Sequence, residues 1–399
     1  MLTTSGDRHR VDPAGHHPDP ERWSSNHTIK GGFVIKGRVR AAALVVIACA
    51  ASVGLAACGS DGDSTGTGGG DGAVSLRIGY VTTPQHPYGL AIQRFKEEVE
   101  EASDGNITIN TLPGASQGND VTLLDDVSGG SIEMAGVSAA VWDNKDVNVF
   151  QPLMAPFVID NYALSETVLG GEIGQKMLES PNGPPKLGLV GLGILEGGLR
   201  KPVGKTALRS VADFRGKKIR APASKIMVDT LRALGAEPVS MPLGDVAPAL
   251  QNGTVDGLEA NYGLIVTQKF YEGADFVTAD VSLWPFPAVV VINKEQWDGL
   301  SADQQKILSD AGKNLAKNSV ESFTNPAPGA TDFVQVLCDE GMTFATAGAV
   351  NRAALVQRAE PALRRNQEEA ELLKEIQDAK AAAGEAPAPA PLPEGCKTT

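Results

Sequence analysis

Past residue 73 the apolar positions of this chain follow two different periods. Residues 74–81, VSLRIGYV, alternate in character, which predicts a half-buried strand. Residues 89–103 set Leu90, Ile92, Phe95 and Val99 against Lys96, Glu97, Glu98 and Glu100, which predicts an amphipathic helix ended by Gly105. Strands are then expected at 107–112, 131–137, 186–195, 217–220, 237–241, 255–259, 277–284 and 288–293. Helices are expected at 121–127, 225–234 and 243–252, with long helical stretches at 302–323 and 351–382. Strands alternating with helices predict an α/β architecture with largely parallel sheets. No tandem repeat of solenoid type is present.

One short strand stands out for its charge. In DFRGKKIRAPAS, residues 213–224, Gly216 breaks the preceding helical pattern and Pro222 ends the strand. Alternation puts Lys218 and Arg220 on one face and Ile219 on the other, toward a core. The strand delivers Arg220 to its own carboxyl end, just before a helix starting near Ser224. In open α/β sheets that is where ligands sit. A guanidinium fork matches a carboxylate bidentately, so two readings stand side by side: an ordinary surface arginine, or an anion clamp.

Composition narrows the field. The chain has 399 residues, 42% of them hydrophobic, enough for two domains with real cores. Its formal net charge is −13. Without the first 57 residues, 28 basic side chains face 44 acidic ones, a charge of −16. That sign excludes a broad nucleic-acid surface and favours a local anion site. Four of the five histidines, His9, His16, His17 and His27, lie in the leader, and only His86 remains beyond it. Little is left for a Ser-His-Asp unit or a multi-histidine zinc site. Gly-x-Ser-x-Gly and the P-loop pattern are both absent. No metal and no cofactor is expected.

The N-terminal region reads as an address. Residues 1–33 are polar and without hydrophobic period, a disordered leader or sequence upstream of a start near Val34. Residues 34–57 follow Lys36, Arg38 and Arg40 with an apolar run and small residues, the pattern of an export signal. The run is shorter than the ~20 residues of a spanning helix. Residues 58–73 form a Gly/Ser/Asp-rich tether. Residues 384–395 read as an extended, mobile Pro/Ala-rich end. Cys338 and Cys396 lie on the exported side, where a disulfide and two free thiols are both open.

Several stretches together resemble one family, the DctP-type solute-binding proteins of TRAP transporters. They are His86-Pro87-Tyr88, PGASQGND at 113–120, GSIEMAGVS at 130–138 and APFVIDNY at 155–162. GLRKP at 198–202, the DFRGKKIRAP strand, ALQNGTVDGLEANY at 249–262, QKFYE at 268–272 and INKEQWDGLSADQQK at 292–306 complete the set. Leu55-Ala56-Ala57-Cys58 likewise resembles a bacterial lipobox, which implies cleavage before Cys58 and a lipid on its sulfur.

The family resemblance implies a two-lobe, periplasmic-binding-protein-like (Venus flytrap) α/β fold with crossing segments and a long C-terminal helical region. Expected boundaries are 74–197 plus 286–325 for one lobe, 198–285 plus 326–382 for the other, and 383–399 for the tail. The implied function is capture of a small organic acid in the interlobe cleft and delivery to the small and large TRAP membrane subunits. The implied location is outside the cell membrane, held by the lipid, with no chemical step. A ligand sensor for a membrane receptor and a secreted carboxylate-dependent enzyme are the rival readings.

By resemblance, Arg220 grips the ligand carboxylate, Arg200 is a second cleft arginine and Asp120 a polar cleft position. Glu259, in the Val-Asp-Gly-x-Glu turn, meets ligand hydroxyls or amines, or pairs with an arginine. Sialic-acid binders of the family carry Glu where this chain has Ser138 and Asn where it has Ala260, which argues against that ligand. Asn261, one residue on, would face the opposite way in a continuous strand. Trp142, Tyr262, Trp284 and Phe286 are candidates for cleft or core, and His86 for ligand contact or loop packing.

Overall fold

The computed structural model describes residues 72–363, 367–384 and 391–399. The leader, the export signal, Cys58, the tether up to residue 71 and residues 385–390 lie outside them.

The strands, in chain order, are β1 Val74–Gly79, β2 Ile107–Leu112, β3 Met134–Ser138 and β4 Leu189–Leu195, then β5 Lys201–Gly204, β6 Lys218–Ala221, β7 Glu237–Ser240 and β8 Gly257–Ala260. β9 Phe276–Thr278, β10 Ala288–Asn293, β11 Thr343–Ala345 and β12 Lys397–Thr398 follow. They form two sheets, ordered β2-β1-β3-β10-β4 and β12-β11-β9-β5-β8-β6-β7. The architecture is the two-lobe, mixed α/β fold.

Each sheet is parallel except for one strand, and the exception has a single cause. The chain leaves the first sheet through β4 and enters the second as β5, antiparallel to its neighbours β8 and β9. It returns through β9 and enters the first sheet as β10, antiparallel to β3 and β4. The two crossings, residues 196–200 and 279–287, meet in an antiparallel bridge. Arg200 donates its N–H to the Trp284 carbonyl at 2.8 Å, and Leu283 donates to the Arg200 carbonyl at 2.8 Å.

The first helix, Pro87–Ala102, buries Ala91, Ile92, Phe95 and Val99 at spacings of one helical face. Leu90 departs from the expectation and is 39% exposed, because two positions from Ile92 it falls on the opposite side of the helix. β10 is buried at every position, as a strand covered on both faces must be.

Other departures follow from local chemistry. β5 contains Pro202 and Gly204, which hide its strand character. The stretch 277–284 is strand only as far as Thr278, and the rest belongs to a crossing. The stretch 302–323 is two helices, Ala302–Lys313 and Leu315–Thr324, parted at Asn314. The last helical region divides into Gly348–Ala359, a 3-10 turn containing Pro361, and Gln367–Ala383. Pro lacks the amide proton that would continue the ladder. Helix Gln367–Ala383 reaches first-lobe residues: Lys380 donates to the Phe157 carbonyl at 2.7 Å, and Glu375 pairs with Lys176 at 2.8 Å.

Past residue 395 the chain is held, not free. Cys396 is joined to Cys338 with Cα atoms 4.7 Å apart, and β12 extends the second sheet beside β11.

Candidate functional site: a buried pair of arginines around one glutamate

β6 and β8 are parallel neighbours, with Ile219 opposite Gly257. Ile219 and Arg220 point to opposite faces, as alternation requires. Of the two readings, the ordinary surface arginine does not hold: Arg220 is only 4% exposed, while Lys218 stays in solvent. Glu259 on β8 is fully buried, and its Oε1 lies 3.4 Å from Arg220 Nη1. Arg200, in the first crossing, brings Nη1 to 3.6 Å from Glu259 Oε2 and stacks its guanidinium 3.8 Å from the Phe286 ring centre. One carboxylate thus stands between two guanidiniums.

The donors of the two arginines are used differently. Arg220 Nε and Nη2 both donate to the Met241 carbonyl, at 3.1 and 3.0 Å. Arg200 Nε and Nη1 are buried without a hydrogen-bond acceptor. Glu259 Oε2 is buried without a hydrogen-bond donor, and the Trp284 indole Nε1 without an acceptor.

Burial dominates the electrostatics. It holds Glu259 above the usual carboxylate range, against the pull of Arg200 and Arg220. It lowers Arg220 to about 10 and also lowers Arg200, and Glu259 opposes both shifts. Both arginines remain cations at neutral pH.

Asp120 opens the helix Asp120–Ser128, and its Oδ1 accepts the Ser138 N–H at 2.9 Å. Its carboxyl is pushed up by burial and pulled down by that bond and by Arg220 and Arg200, which places it in the field of the arginine pair. Ser138 ends β3, and its hydroxyl is engaged locally, accepting the Ala140 N–H at 3.2 Å.

Asn261 and His86 form a second group. β8 ends at Ala260, so Asn261 does not continue the strand; it caps the helix Tyr262–Thr267 by accepting the Leu264 N–H at 2.8 Å. It donates to the Gly197 carbonyl at 2.8 Å and meets His86 Nε2 at 3.1 Å. A side chain at Gly198, where φ is +104°, would run into Asn261, so the crossing must be glycine there. His86 caps the first helix by accepting the Tyr88 N–H on Nδ1 at 3.1 Å. Nε2 is therefore its protonated nitrogen and donates to Asn261 Oδ1. Burial drops the His86 pKa to about 3, so the ring is neutral at physiological pH.

Sequence reasoning passed over Glu196, which is fully buried at the end of β4. Its Oε1 accepts the Gly198 N–H at 2.7 Å and the Phe286 N–H at 3.2 Å, one from each crossing, and its Oε2 accepts the Ser165 hydroxyl. The available signal was a charged residue between an apolar strand and a Gly-Gly pair. Among the described residues, no group of three or more His, Cys, Asp or Glu side chains is placed to hold a metal ion, and no helix is long and apolar enough to cross a membrane.

The family of bacterial extracellular solute-binding proteins, family 7 (DctP), matches residues 78–370, more than half of the chain. The C4-dicarboxylate-binding periplasmic protein DctP of Rhodobacter capsulatus is 28% identical over 67% of this chain and 82% of its own. The 2,3-diketo-L-gulonate-binding periplasmic protein YiaO of Escherichia coli is 30% identical over 60% of this chain and 72% of its own. Among solved structures, the sugar acid binding protein DctPAm of Advenella mimigardefordensis, in complex with galactonate, aligns with a TM-score of 0.71 at 26% identity, covering 78% of this chain and 99% of that one. A TRAP periplasmic solute binding protein from a Bradyrhizobium strain, in complex with galacturonate, aligns at 0.69 and 26% identity, covering 76% and 100%.

Proposed function

The chain belongs to the DctP family of extracellular solute-binding proteins, and from that premise we propose that it captures a small organic acid between its lobes and hands it to the membrane subunits of a TRAP transporter. The observation that carries the reading is the arginine pair. Two buried cations share one carboxylate, and Arg200 keeps two buried donors without an acceptor. An isolated charge in such a place is costly, and a ligand carboxylate relieves that cost.

The roles follow from the donors. Arg200 and Arg220 hold the carboxylate, and Glu259 keeps both guanidiniums aimed. Trp284 offers an indole N–H, and Asp120 faces ligand hydroxyls from the first lobe. Ser138 acts through its backbone bond to Asp120. His86 and Asn261 set the crossing instead of touching ligand. Residues 74–197 with 286–325, and 198–285 with the chain from 326 to 363, are the units that close, and helix Gln367–Ala383, expected in the second, lies on the first. Binding needs no covalent step, and the acid is released unchanged.

Residues 34–57 direct export and Cys58 carries a lipid, a reading supported by the lipobox-like Leu55-Ala56-Ala57-Cys58 and the Gly-rich tether behind it. One acyl chain anchors only marginally, so more than one is required. Mass spectrometry of the mature N-terminus tests this, and an unmodified Cys58 would refute it.

The central test is a thermal-shift screen with mono- and dicarboxylates, sugar acids, keto acids and aromatic acids. Ligand that binds the folded state raises its apparent stability. At least one acid should raise Tm, and be recovered chemically intact. Shifts from neutral solutes alone would defeat the reading.

A further inference from the structure

Asp143 and Asn144 lie in the 3-10 turn Ala139–Lys145, directly after β3 in the first lobe. Neither belongs to a crossing, yet both bond to the second lobe. Asp143 Oδ2 accepts the Lys225 N–H at 2.9 Å, and Asn144 Nδ2 donates to the Ala223 carbonyl at 2.8 Å. Lys225 opens the ten-residue helix Lys225–Leu234, whose own N-cap, Ser224, makes no capping side-chain bond. The first lobe thus supplies the cap that this helix lacks. A carboxylate there also meets the positive end of the helix dipole.

The position of the receiving segment gives the contact its meaning. Residues 223–225 begin just past β6, the strand that carries Arg220. Holding this segment against the first lobe holds the arginine strand against the first-lobe wall, where Asp120 and Ser138 lie. Bonds between parts of the chain 79 and 82 positions apart, outside the crossings, break when the lobes rotate.

We infer that Asp143 and Asn144 form a latch between the lobes, made on closure and broken on opening, which sets how long a captured acid stays. The inference rests on the reading that the cleft binds a carboxylate. One bond is charge-assisted and one is neutral, so removing both is expected to shift the closed-to-open ratio by about tenfold or more.

Two nitroxides, attached at Glu101 and Glu237 by chemistry that spares the Cys338–Cys396 bond, report the interlobe distance by pulsed electron spin resonance. Both positions are exposed, one on each lobe. Wild type, Asp143→Ala/Asn144→Ala and Asp143→Asn are compared with and without D-galactonate as the probe acid. The double variant should gain the longer distance in both conditions. Asp143→Asn, which keeps an acceptor oxygen, should fall between it and wild type. If galactonate binds, its dissociation from the double variant should be about tenfold faster, with the association rate little changed. An unchanged distance distribution in the double variant overturns the latch. A shifted distribution alongside wild type that binds no acid in the thermal screen supports the latch and defeats the carboxylate reading instead.

Discussion

Glu196 and Glu259 each bury a carboxylate completely, one at the end of β4 and the other within β8. Glu196 is served by neutral donors: two backbone N–H groups and a serine hydroxyl. Its partners are fixed parts of the fold and leave nothing for a ligand to compete for. Glu259 is served by two cations at 3.4 and 3.6 Å, and one of its oxygens completes no hydrogen bond. A carboxylate tied to backbone joins segments together. Glu259, which takes one bond from Arg220 and only balances the charge of Arg200, keeps both cations in place while leaving the Arg200 donors available to another anion. Burial and charge are the same in both; what separates them is the kind of donor.

The largest effect is expected at the cations. Arg220→Ala should lower affinity for a bound acid by about 3–5 kcal/mol, the scale of breaking a buried charge pair, with little change in circular dichroism. Near-normal affinity by calorimetry would remove Arg220 from the site.

Next comes the tie. Glu196→Ala strands two backbone N–H groups and a buried hydroxyl, so it should cost about 2–4 kcal/mol of stability by chemical denaturation. A loss in affinity without a loss in stability would reverse the roles assigned to the two glutamates.

A smaller effect separates charge from hydrogen bonding. Burial holds Glu196 above the usual carboxylate range. A carboxyl raised in the folded state lends its stability below its unfolded pKa and loses it as pH rises toward the folded value. Glu196→Gln keeps an acceptor oxygen for both N–H groups and has nothing to ionise. The Tm gap between wild type and Glu196→Gln should therefore close as pH rises from about 4 to 7. A gap that widened over that range would show the ionised form to be the favoured one.

The smallest effect is expected outside. Lys306 and Lys313 both pair with Asp310 on an exposed helix. Lys306→Ala should leave Tm unchanged within error, since solvent screens such pairs. A clear drop would mean that burial is not what sets the cleft charges apart.

How much of this could be read from the chain depends on how far each feature reaches. Helix Lys225–Leu234 and strand Ala288–Asn293 were legible to the residue because the helix carries its own period and stops, and the strand is an unbroken apolar run bounded by Pro287 and Asn293. Arg220 was legible as a charge on a strand face, but its burial was not, since that requires Glu259 and Met241 from elsewhere. Asn261 lies just past the strand expected at 255–259, but its role as the cap of helix Tyr262–Thr267 that also ties Gly197 and His86 was not legible, since those partners come from elsewhere. The helices Tyr162–Gly170 and Glu172–Glu179 went unassigned, as did β5, whose proline and glycine mask its strand character. Asp143 and Asn144 look like an ordinary polar turn until their partners at 223 and 225 are placed beside them.

The place of β10 has a consequence for how the chain matures. Met134–Ser138 and Leu189–Leu195 flank an open seam in the middle of the first sheet until residues 288–293 arrive to fill it. The whole excursion through β5 to β9 must be made before that strand exists. Such long-range closure makes folding slow. For a chain of an exported family, delay is useful: the polypeptide stays threadable while it is moved across the membrane. The lobe nearest the N-terminus is then completed by a strand that arrives only after most of the other lobe has been made.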